Sequence, residues 1–301
     1  MDELEFHDRD GVDVFFRRWL PESAASRIVL VAHGMSEHSG RYARVANALR
    51  DRGVAVYALD HRGHGRTGAS SAEAGEIGPS GIDGVLGDIL QLGEIARSDV
   101  GDVPVVLFGH SMGALLALGF AERHGETLAG LALSGFPGAG EGAHEAAAMV
   151  REMAASGVEM DSSGVLAAFN ASFEPPRTSY DWLSRDDAEV DLYIADPYCG
   201  DDNPLSLGYV AEIMAMTAEQ LEPSAIARIP MSLPIALLTG EADVASNFAA
   251  NVRTLESSLR AAGLEVDAIY YPEARHEILN EINRDEVEAD LLAWIDKRVP
   301  L

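Results

Sequence analysis

The chain has 301 residues, 47% of them hydrophobic and 24% charged, a composition typical of a folded globular protein rather than a disordered or fibrous one. Its formal charge of −27 disfavours binding to nucleic-acid phosphates or to anionic membranes, so a neutral small molecule is the better-matched partner. The single cysteine, Cys199, excludes an internal disulfide, and we interpret it as a small buried side chain.

The N-terminal segment is acidic and lacks the basic and then apolar arrangement of a secretory signal. No run of about 18 apolar residues, the length that a membrane span requires, occurs in the chain. We therefore expect a cytoplasmic protein without stable membrane insertion.

The first part of the chain alternates strand and helix patterns. In chain order, the predicted strands are 13–20, 27–33, 54–60, 104–110 and 128–135, the predicted helices are 41–53, 82–99 and 111–125, and a loop covers 62–81. Short apolar strands that alternate with helices predict an α/β fold with a mostly parallel central sheet covered on both faces.

This alternation of strands and helices stops after residue 136, where helical segments follow one another without a convincing buried strand. It resumes with strands at 234–243 and 265–272 and helices at 247–263 and 278–299. The pattern predicts a core of residues 1–136 and 228–301, interrupted by an inserted helical cap at 137–227.

The most specific motif is Gly109-His110-Ser111-Met112-Gly113, which stands where a predicted strand ends and a predicted helix begins. A serine on such a tight turn is held as a nucleophile, and the flanking glycines let the strand and the helix approach closely. A turn with a helix-capping serine is the alternative. The position between strand and helix favours the nucleophile.

A serine nucleophile needs a general base and a carboxylate that orients it. His276, on the loop after the last predicted strand, is the candidate base, and Asp243, after the strand at 234–243, is the candidate acid. Either residue could instead cap a following helix, and Glu241 and Asp267 are rival acids. The chain order serine, aspartate, histidine is that of α/β-hydrolases.

Two backbone N–H groups must stabilise the oxyanion that forms when a carbonyl is attacked. Met112, directly after the candidate nucleophile, offers one of them. Met35 offers the other, because Gly34 lets the backbone after the strand at 27–33 turn close to the site.

With these motifs in place, most of the chain resembles the serine aminopeptidase-like branch of the α/β-hydrolases, which contains monoacylglycerol lipases and bacterial lysophospholipases. The resemblance is carried by His33-Gly34-Met35-Ser36-Glu37-His38 with Arg41-Tyr42, Asp60-His61-Arg62-Gly63-His64-Gly65, Gly109–Gly113, Trp182-Leu183-Ser184-Arg185-Asp186, and Arg275-His276-Glu277 with Asn280-Glu281.

The resemblance implies a Ser111, Asp243, His276 triad, an oxyanion hole of the Met35 and Met112 amides, and hydrolysis of a neutral acyl ester without metal or cofactor. It implies a structural role for Arg62 and His64. The family usually has a proline or similar residue after the acid, whereas Val244-Ala245-Ser246 stands here. An acyl pocket in the cap would use Leu166, Phe169, Phe173, Ile213, Met214 and Met216, although such stripes also form ordinary core.

Other activities of this fold are alternatives. An aminopeptidase would hold the substrate's amine with cap carboxylates such as Glu174, Asp181, Asp186 or Asp187. A carbon–carbon bond hydrolase would use the same triad, and a ligand receptor would retain it without turnover. Haloalkane dehalogenases and epoxide hydrolases are disfavoured, because they have aspartate where Ser111 stands. The sequence makes no prediction of oligomeric state.

Overall fold

Eight strands form one sheet, and its five middle strands are buried along their whole length. A computed structural model describes residues 1–70, 74–138, 142–158, 168–173 and 175–300. Strands that are covered on both faces appear as continuous apolar runs, which is why the sequence shows them clearly. The strands are β1 (Asp2–His7), β2 (Asp13–Trp19), β3 (Arg27–Ala32), β4 (Val54–Leu59), β5 (Val105–His110), β6 (Gly130–Ser134), β7 (Ile235–Gly240) and β8 (Val266–Tyr271).

The strand order in the sheet is β1-β2-β4-β3-β5-β6-β7-β8. Strand β2 runs antiparallel to both of its neighbours, and the strands from β4 to β8 run parallel. The predicted α/β class with a mostly parallel sheet is therefore confirmed. The carboxyl ends of parallel strands meet at one edge of the sheet, where such folds place their ligands.

Helices cover both faces of the sheet. Along β3, Val29 and Val31 pack with the helices at Ala43–Asp51 and Arg284–Arg298. Ile28 and Leu30 belong instead to the core formed with the helices at Gly81–Val100, Met112–His124 and Ala250–Ala261. Short 3-10 helices occur at Ser39–Tyr42, Gly125–Thr127 and Ile278–Asn280. The α-helices are α1 (Ala43–Asp51), α2 (Gly65–Ser70), α3 (Gly81–Val100), α4 (Met112–His124), α5 (Ala143–Ala155), α6 (Asp187–Ala195), α7 (Leu207–Gln220), α8 (Pro223–Ile226), α9 (Ala250–Ala261) and α10 (Arg284–Arg298).

Outside residues 137–227, one strand and one α-helix were not predicted. Strand β1 lies at the sheet edge with mostly exposed side chains, so its sequence carries no apolar run. Helix α2 lies inside the predicted loop at 62–81. Its first turn is capped from outside, because Asp60 Oδ2 accepts the N–H of Arg66 at 2.8 Å, a contact that a local pattern does not reveal.

Two helices begin later than predicted. Asn247, Phe248 and Ala249 have positive φ angles of 54°, 53° and 63°, so α9 starts at Ala250 rather than at residue 247. The segment predicted to start the final helix at residue 278 forms a separate 3-10 turn, and α10 begins at Arg284. Between β6 and β7, the described residues contain α5 to α8 and no strand. None of the helices described combines the length and apolar character needed to cross a bilayer.

The charge imbalance leads to a prediction about stability. Repulsion among 49 acidic side chains destabilises the compact state, and salt screens it. We expect the melting temperature at pH 7 to rise by roughly 5 °C between 0.05 and 1 M NaCl, measured by calorimetry. Near the isoelectric point of about 4.5 the same salt step should have little effect, which is the internal control. A melting temperature at pH 7 that stays flat or falls with salt would contradict this.

Candidate active site

Ser111 lies on a strained turn between β5 and α4. Its φ of 54° and ψ of −119° lie outside the regions that non-glycine residues usually adopt. A Cβ on Gly109 would lie 2.2 Å from the Gly113 carbonyl oxygen, and one on Gly113 would lie 2.0 Å from the Ala32 oxygen. Only glycine fits at both positions, so the structure shows the close packing that the motif predicts.

His276 and Asp243 meet as the sequence predicts. His276 Nδ1 lies 2.9 Å from Asp243 Oδ1, and both side chains are buried. Because a carboxylate only accepts hydrogen bonds, Nδ1 carries the proton and a neutral ring keeps Nε2 as an acceptor. Ser111 and His276 line one cavity, although the hydrogen bonds of the described residues do not include one between them.

The two rival acids, Glu241 and Asp267, bind partners other than His276. Glu241 pairs with Arg253 at the surface. Asp267 accepts from Arg298 and from the Trp294 indole. The carboxylate of Asp243 does not cap α9, because it accepts from His276 and from the nearby Ala245 N–H. Of the predicted acids, Asp243 is the one that contacts His276.

The electrostatic surroundings favour a proton on His276. Burial alone lowers its pKa, but the carboxylates of Asp243, Glu277 and Glu37 outweigh that effect and raise the pKa above its ordinary value. The neighbouring His110 ring lies 4.7 Å from His276, centroid to centroid. Burial and the charge of His276 lower the pKa of His110 to about 4, so His110 is neutral at pH 7.

The two predicted oxyanion donors flank Ser111. Met112 is the first residue of α4, and Met35 follows Gly34, whose Cα lies so near the nucleophile that an added Cβ would be 3.2 Å from Ser111 Cβ. Neither the Met35 nor the Met112 N–H donates a hydrogen bond to any residue that the structure describes. Both residues line the cavity with Ser111.

Arg62 and His64 lie away from this cavity, as the structural interpretation expected. The buried Arg62 guanidinium bridges Asp8 and Asp88, and it also pairs with Asp10. His64 Nδ1 lies 3.0 Å from the Arg62 carbonyl oxygen. These contacts join the N-terminal strands to α3 and to the loop after β4.

A largely apolar cavity of about 200 Å³ opens beside Ser111. Of the predicted pocket residues, Phe169, Ile213 and Met214 lie on its wall. The assignment of Met216 to the pocket was wrong, because its side chain faces α4. Its Sδ would lie 2.7 Å from a Cβ added to Gly119. Phe173 was also misplaced, since its ring packs under the Arg275 guanidinium. Leu166 lies outside the described residues. The wall includes further side chains that the sequence did not assign to a pocket: Leu115, Pro137, Trp182, Leu183, Tyr193, Leu205, Val210 and Ala245.

A cluster of buried charges next to the cavity was also not predicted. Arg41 pairs with Glu37 at 2.9 Å and makes two hydrogen bonds to Glu277, the residue after His276. Burial raises the pKa of Glu37, but the Arg41 guanidinium overcomes this and lowers it. The sequence did place Glu37 and Arg41 in one motif, but it did not indicate the contact with Glu277, which lies 236 residues away from Arg41.

One group of side chains in the described part of the chain has the spacing of metal ligands. Ligand atoms of His38, Asp196 and Cys199 lie within 4.8 Å of one another. However, His38 Nδ1 accepts the Gly40 N–H, so Nε2 carries the proton and donates to Asp196 at 3.0 Å. Cys199 is buried, as predicted, and burial raises the pKa of its thiol. This group fits a hydrogen-bonded contact better than a metal site.

Comparison with known proteins gives the family. The sequence model described as serine aminopeptidase, S33, matches residues 23–283, which is most of the chain. The chain belongs to this family. The predicted resemblance is thereby confirmed, and the eight-stranded sheet is that of the α/β-hydrolases.

Relatives of this S33-family chain include ester hydrolases. It is 28% identical to the monoacylglycerol lipase of Mycolicibacterium smegmatis over 97% of this chain and 96% of that one. It is 32% identical to human monoglyceride lipase over 78% and 71% of the two chains. The crystal structure of a thermostable carboxyl esterase from Bacillus coagulans, in complex with glycerol, superposes with a TM-score of 0.92 at 30% identity, covering 99% and 98%. The chain is a carboxylic-ester hydrolase.

Proposed function

We propose that this chain is a serine esterase that acts on neutral acyl esters, with monoacylglycerols first among them and lysophospholipids next. The observation that carries the proposal is the His276–Asp243 hydrogen bond, 2.9 Å long, beside a strained Ser111 on the wall of an apolar cavity. The monoacylglycerol lipases among the relatives support the choice of substrate.

In the proposed mechanism, His276 Nε2 takes the Ser111 proton as Oγ attacks the ester carbonyl carbon. The Met35 and Met112 amides stabilise the oxyanion, and Asp243 stabilises the imidazolium that forms. Protonated His276 then gives its proton to the departing alcohol. Water, deprotonated in turn by His276, attacks the acyl-enzyme, and the fatty acid is released as the Ser111 oxygen takes the proton back from His276.

The cavity wall suits an uncharged acyl chain. Two carboxylates, Glu37 and Glu277, lie on the part of the wall that the structure describes, and Arg41 engages both. Both carboxylates are therefore buried and paired, although the single Arg41 charge leaves one negative charge in excess. An apolar chain gains by leaving water in such a cavity, whereas a charged group would find no unpaired partner on the described wall.

The positions of the cap carboxylates disfavour aminopeptidase activity. Asp181 accepts the Arg177 and Thr178 backbone N–H groups, Asp186 pairs with Arg284, and none of the predicted cap carboxylates that are described lies on the cavity wall. Asp187 pairs with Arg177, and Glu174 lies outside the described residues. An ester without a free amine is therefore the better-matched substrate.

We further propose that residues 137–227 act as a cap on a core of residues 1–136 and 228–301. Trp182, Tyr193 and Ile213 from this segment reach the cavity wall. The segment also contacts the loop of His276, since the Trp182 and Leu183 carbonyls accept the N–H groups of residues 276 and 277. The cap would shape the acyl site while supporting the general base.

A substrate panel tests the proposal. Nitrophenyl esters from acetate to palmitate, monoacylglycerols, lysophosphatidylcholine, amino-acid nitroanilides and dienone acids would be compared by kcat/KM. We expect turnover of the esters with an optimum above acetate, and no turnover of the anilides or dienones. Rapid cleavage of anilides in the absence of ester turnover would overturn the assignment. Tight retention of an ester after a single slow turnover would favour a receptor.

Narrowing the cavity should shorten the preferred acyl chain. Ile213→Trp adds a ring to the wall, so we expect kcat/KM for palmitate esters to fall about 100-fold while that for acetate stays within about threefold. Leu192→Trp, at a position 65% exposed and off the wall, is the matched control. A uniform loss across chain lengths would argue that the acyl chain lies elsewhere.

The pH profile follows from the state of His276. The base must be neutral to accept the Ser111 proton, and its pKa in the folded protein is raised. We therefore expect kcat/KM to be lost as pH falls through a midpoint above 6.5, the ordinary imidazole value. The measurement is the pH dependence of acetate-ester hydrolysis. A midpoint below that of free imidazole would contradict the assigned surroundings of His276.

A further inference from the structure

Glu37 accepts three hydrogen bonds inside the protein beside the oxyanion-hole backbone. Its side chain is buried, and Oε1 accepts from the Gly34 N–H at 2.5 Å and from the Tyr42 hydroxyl at 2.8 Å. Oε2 accepts from Arg41 at 2.9 Å. A buried carboxylate is costly unless it is paired, and here all three donors hold it in one position.

The contact at Gly34 fixes one side of the backbone that presents the Met35 amide. The other side is fixed by His33, whose Nδ1 donates to the Gly34 carbonyl oxygen at 2.7 Å while its Nε2 accepts the His61 N–H at 2.9 Å. In a trans peptide the N–H points opposite to the C=O. Holding the Gly34 carbonyl toward His33 therefore directs the Met35 N–H away from His33.

Glu37 is also linked to the loop of the general base. Arg41 bridges Glu37 and Glu277, and Glu277 directly follows His276 in the chain. The backbone N–H of Glu277 donates to Leu183 at 2.8 Å, and its carboxylate accepts from Asn280 at 3.1 Å. Arg41 thus joins the two loops that carry the Met35 amide and His276.

We propose that Glu37 is a positioning residue for ester hydrolysis, which holds the oxyanion-hole backbone through Gly34 and ties it to the His276 loop through Arg41 and Glu277. This inference rests on the proposed function of Ser111 and His276. Because the oxyanion develops only as the carbonyl is attacked, an oxyanion amide that is out of place lowers kcat more than it raises KM.

Glu37 also contributes charge near the base. The titratable groups that face His276 are Asp243 from the loop after β7, Glu277 from its own loop, Glu37 from the loop after β3 and His110 at the end of β5. Arg41 lies between the two glutamates. Removing the charge of Glu37 removes one of the influences that favour protonated His276, so the acid limb of the pH profile should move to lower pH.

The experiment compares Glu37→Gln and Glu37→Ala with the wild type, using acetate and palmitate esters. Glutamine keeps an oxygen for Gly34 and Tyr42 but loses the charge that holds Arg41, whereas alanine loses both. We expect kcat to fall about tenfold for glutamine and about 100-fold for alanine, with KM within about twofold. The acid limb for glutamine should shift downward. Glu122→Gln, a buried glutamate off the cavity wall, is the matched control with unchanged kcat.

Either of two results would overturn the inference: a Glu37→Gln protein with kcat within twofold of the wild type, or one whose acid limb does not move. The near-isosteric glutamine decides the question even if the alanine protein does not fold. Ser111→Ala is measured alongside. Activity that survives in Ser111→Ala would refute the proposed function itself, whereas an inactive Ser111→Ala beside an unaffected Glu37→Gln would refute the role of Glu37 alone.

Discussion

Ser111→Ala is expected to lower kcat for ester hydrolysis by about 10⁵- to 10⁶-fold, because the acyl-enzyme cannot form and only the oxyanion hole and substrate binding remain. The substitution removes one oxygen and keeps the backbone, so the melting temperature should stay within about 2 °C of the wild type. Both are measured on the same preparation, by long progress curves with nitrophenyl butyrate and by thermal unfolding.

Ser134→Ala is the matched control for this loss. Ser134 is buried at the end of β6, and its Oγ lies 3.2 Å from His110 Nδ1, so it is a second serine near the site. Its loss should change kcat by no more than about tenfold. Strong activity in Ser111→Ala, or a collapse of activity in Ser134→Ala alone, would place the nucleophile elsewhere.

Asp243→Asn should be the second most damaging change, with kcat lowered about 10⁴-fold. The asparagine amide can donate to His276 Nδ1, which then must accept, so the proton moves to Nε2. A ring in that tautomer cannot take the Ser111 proton. The side chains are nearly the same size, and therefore the loss reports the tautomer rather than packing.

Asp267→Asn and Glu241→Gln provide the comparison for Asp243. Both were rival acids in the sequence, and both pair with arginines away from His276. Each should keep kcat within about threefold of the wild type. If Glu241→Gln lost activity while Asp243→Asn kept it, the acid would have been assigned to the wrong residue on this loop.

The sequence predicted the candidate triad because each member follows a strand of the parallel sheet: Ser111 and Asp243 follow β5 and β7, which are buried on both faces, and His276 follows the partly buried β8. Buried strands are visible as apolar runs, and the carboxyl ends of β5, β7 and β8 meet at one edge of the sheet. The glycines around Ser111 added a second signal, since only they permit the close approach of β5 and α4. For the acid, the sequence left Glu241 and Asp267 as rivals of Asp243. The contact between Asp243 and His276 is seen only in the structure.

Several features that the sequence did not predict depend on contacts made outside the helix or loop in which they lie. Helix α2 is capped by Asp60 from outside the helix, and Met216 faces the core because α7 packs its buried side against α4. The link from Glu37 through Arg41 to Glu277 joins two loops far apart in the chain. Local periodicity carries no information about such pairs. The apolar pattern of α7 alone therefore could not show that Ile213 and Met214 lie on the cavity wall whereas Met216 does not.

The most direct test of the account is to identify the residue that a substrate-like phosphoryl reagent labels. The protein is treated with diethyl nitrophenyl phosphate until ester hydrolysis stops, and the intact protein and its peptides are then weighed by mass spectrometry. We predict one diethylphosphoryl group per chain, on the peptide that contains Ser111, and none on the Ser111→Ala protein. A complete loss of activity with the label on another residue, or with no label at all, would contradict Ser111 as the nucleophile.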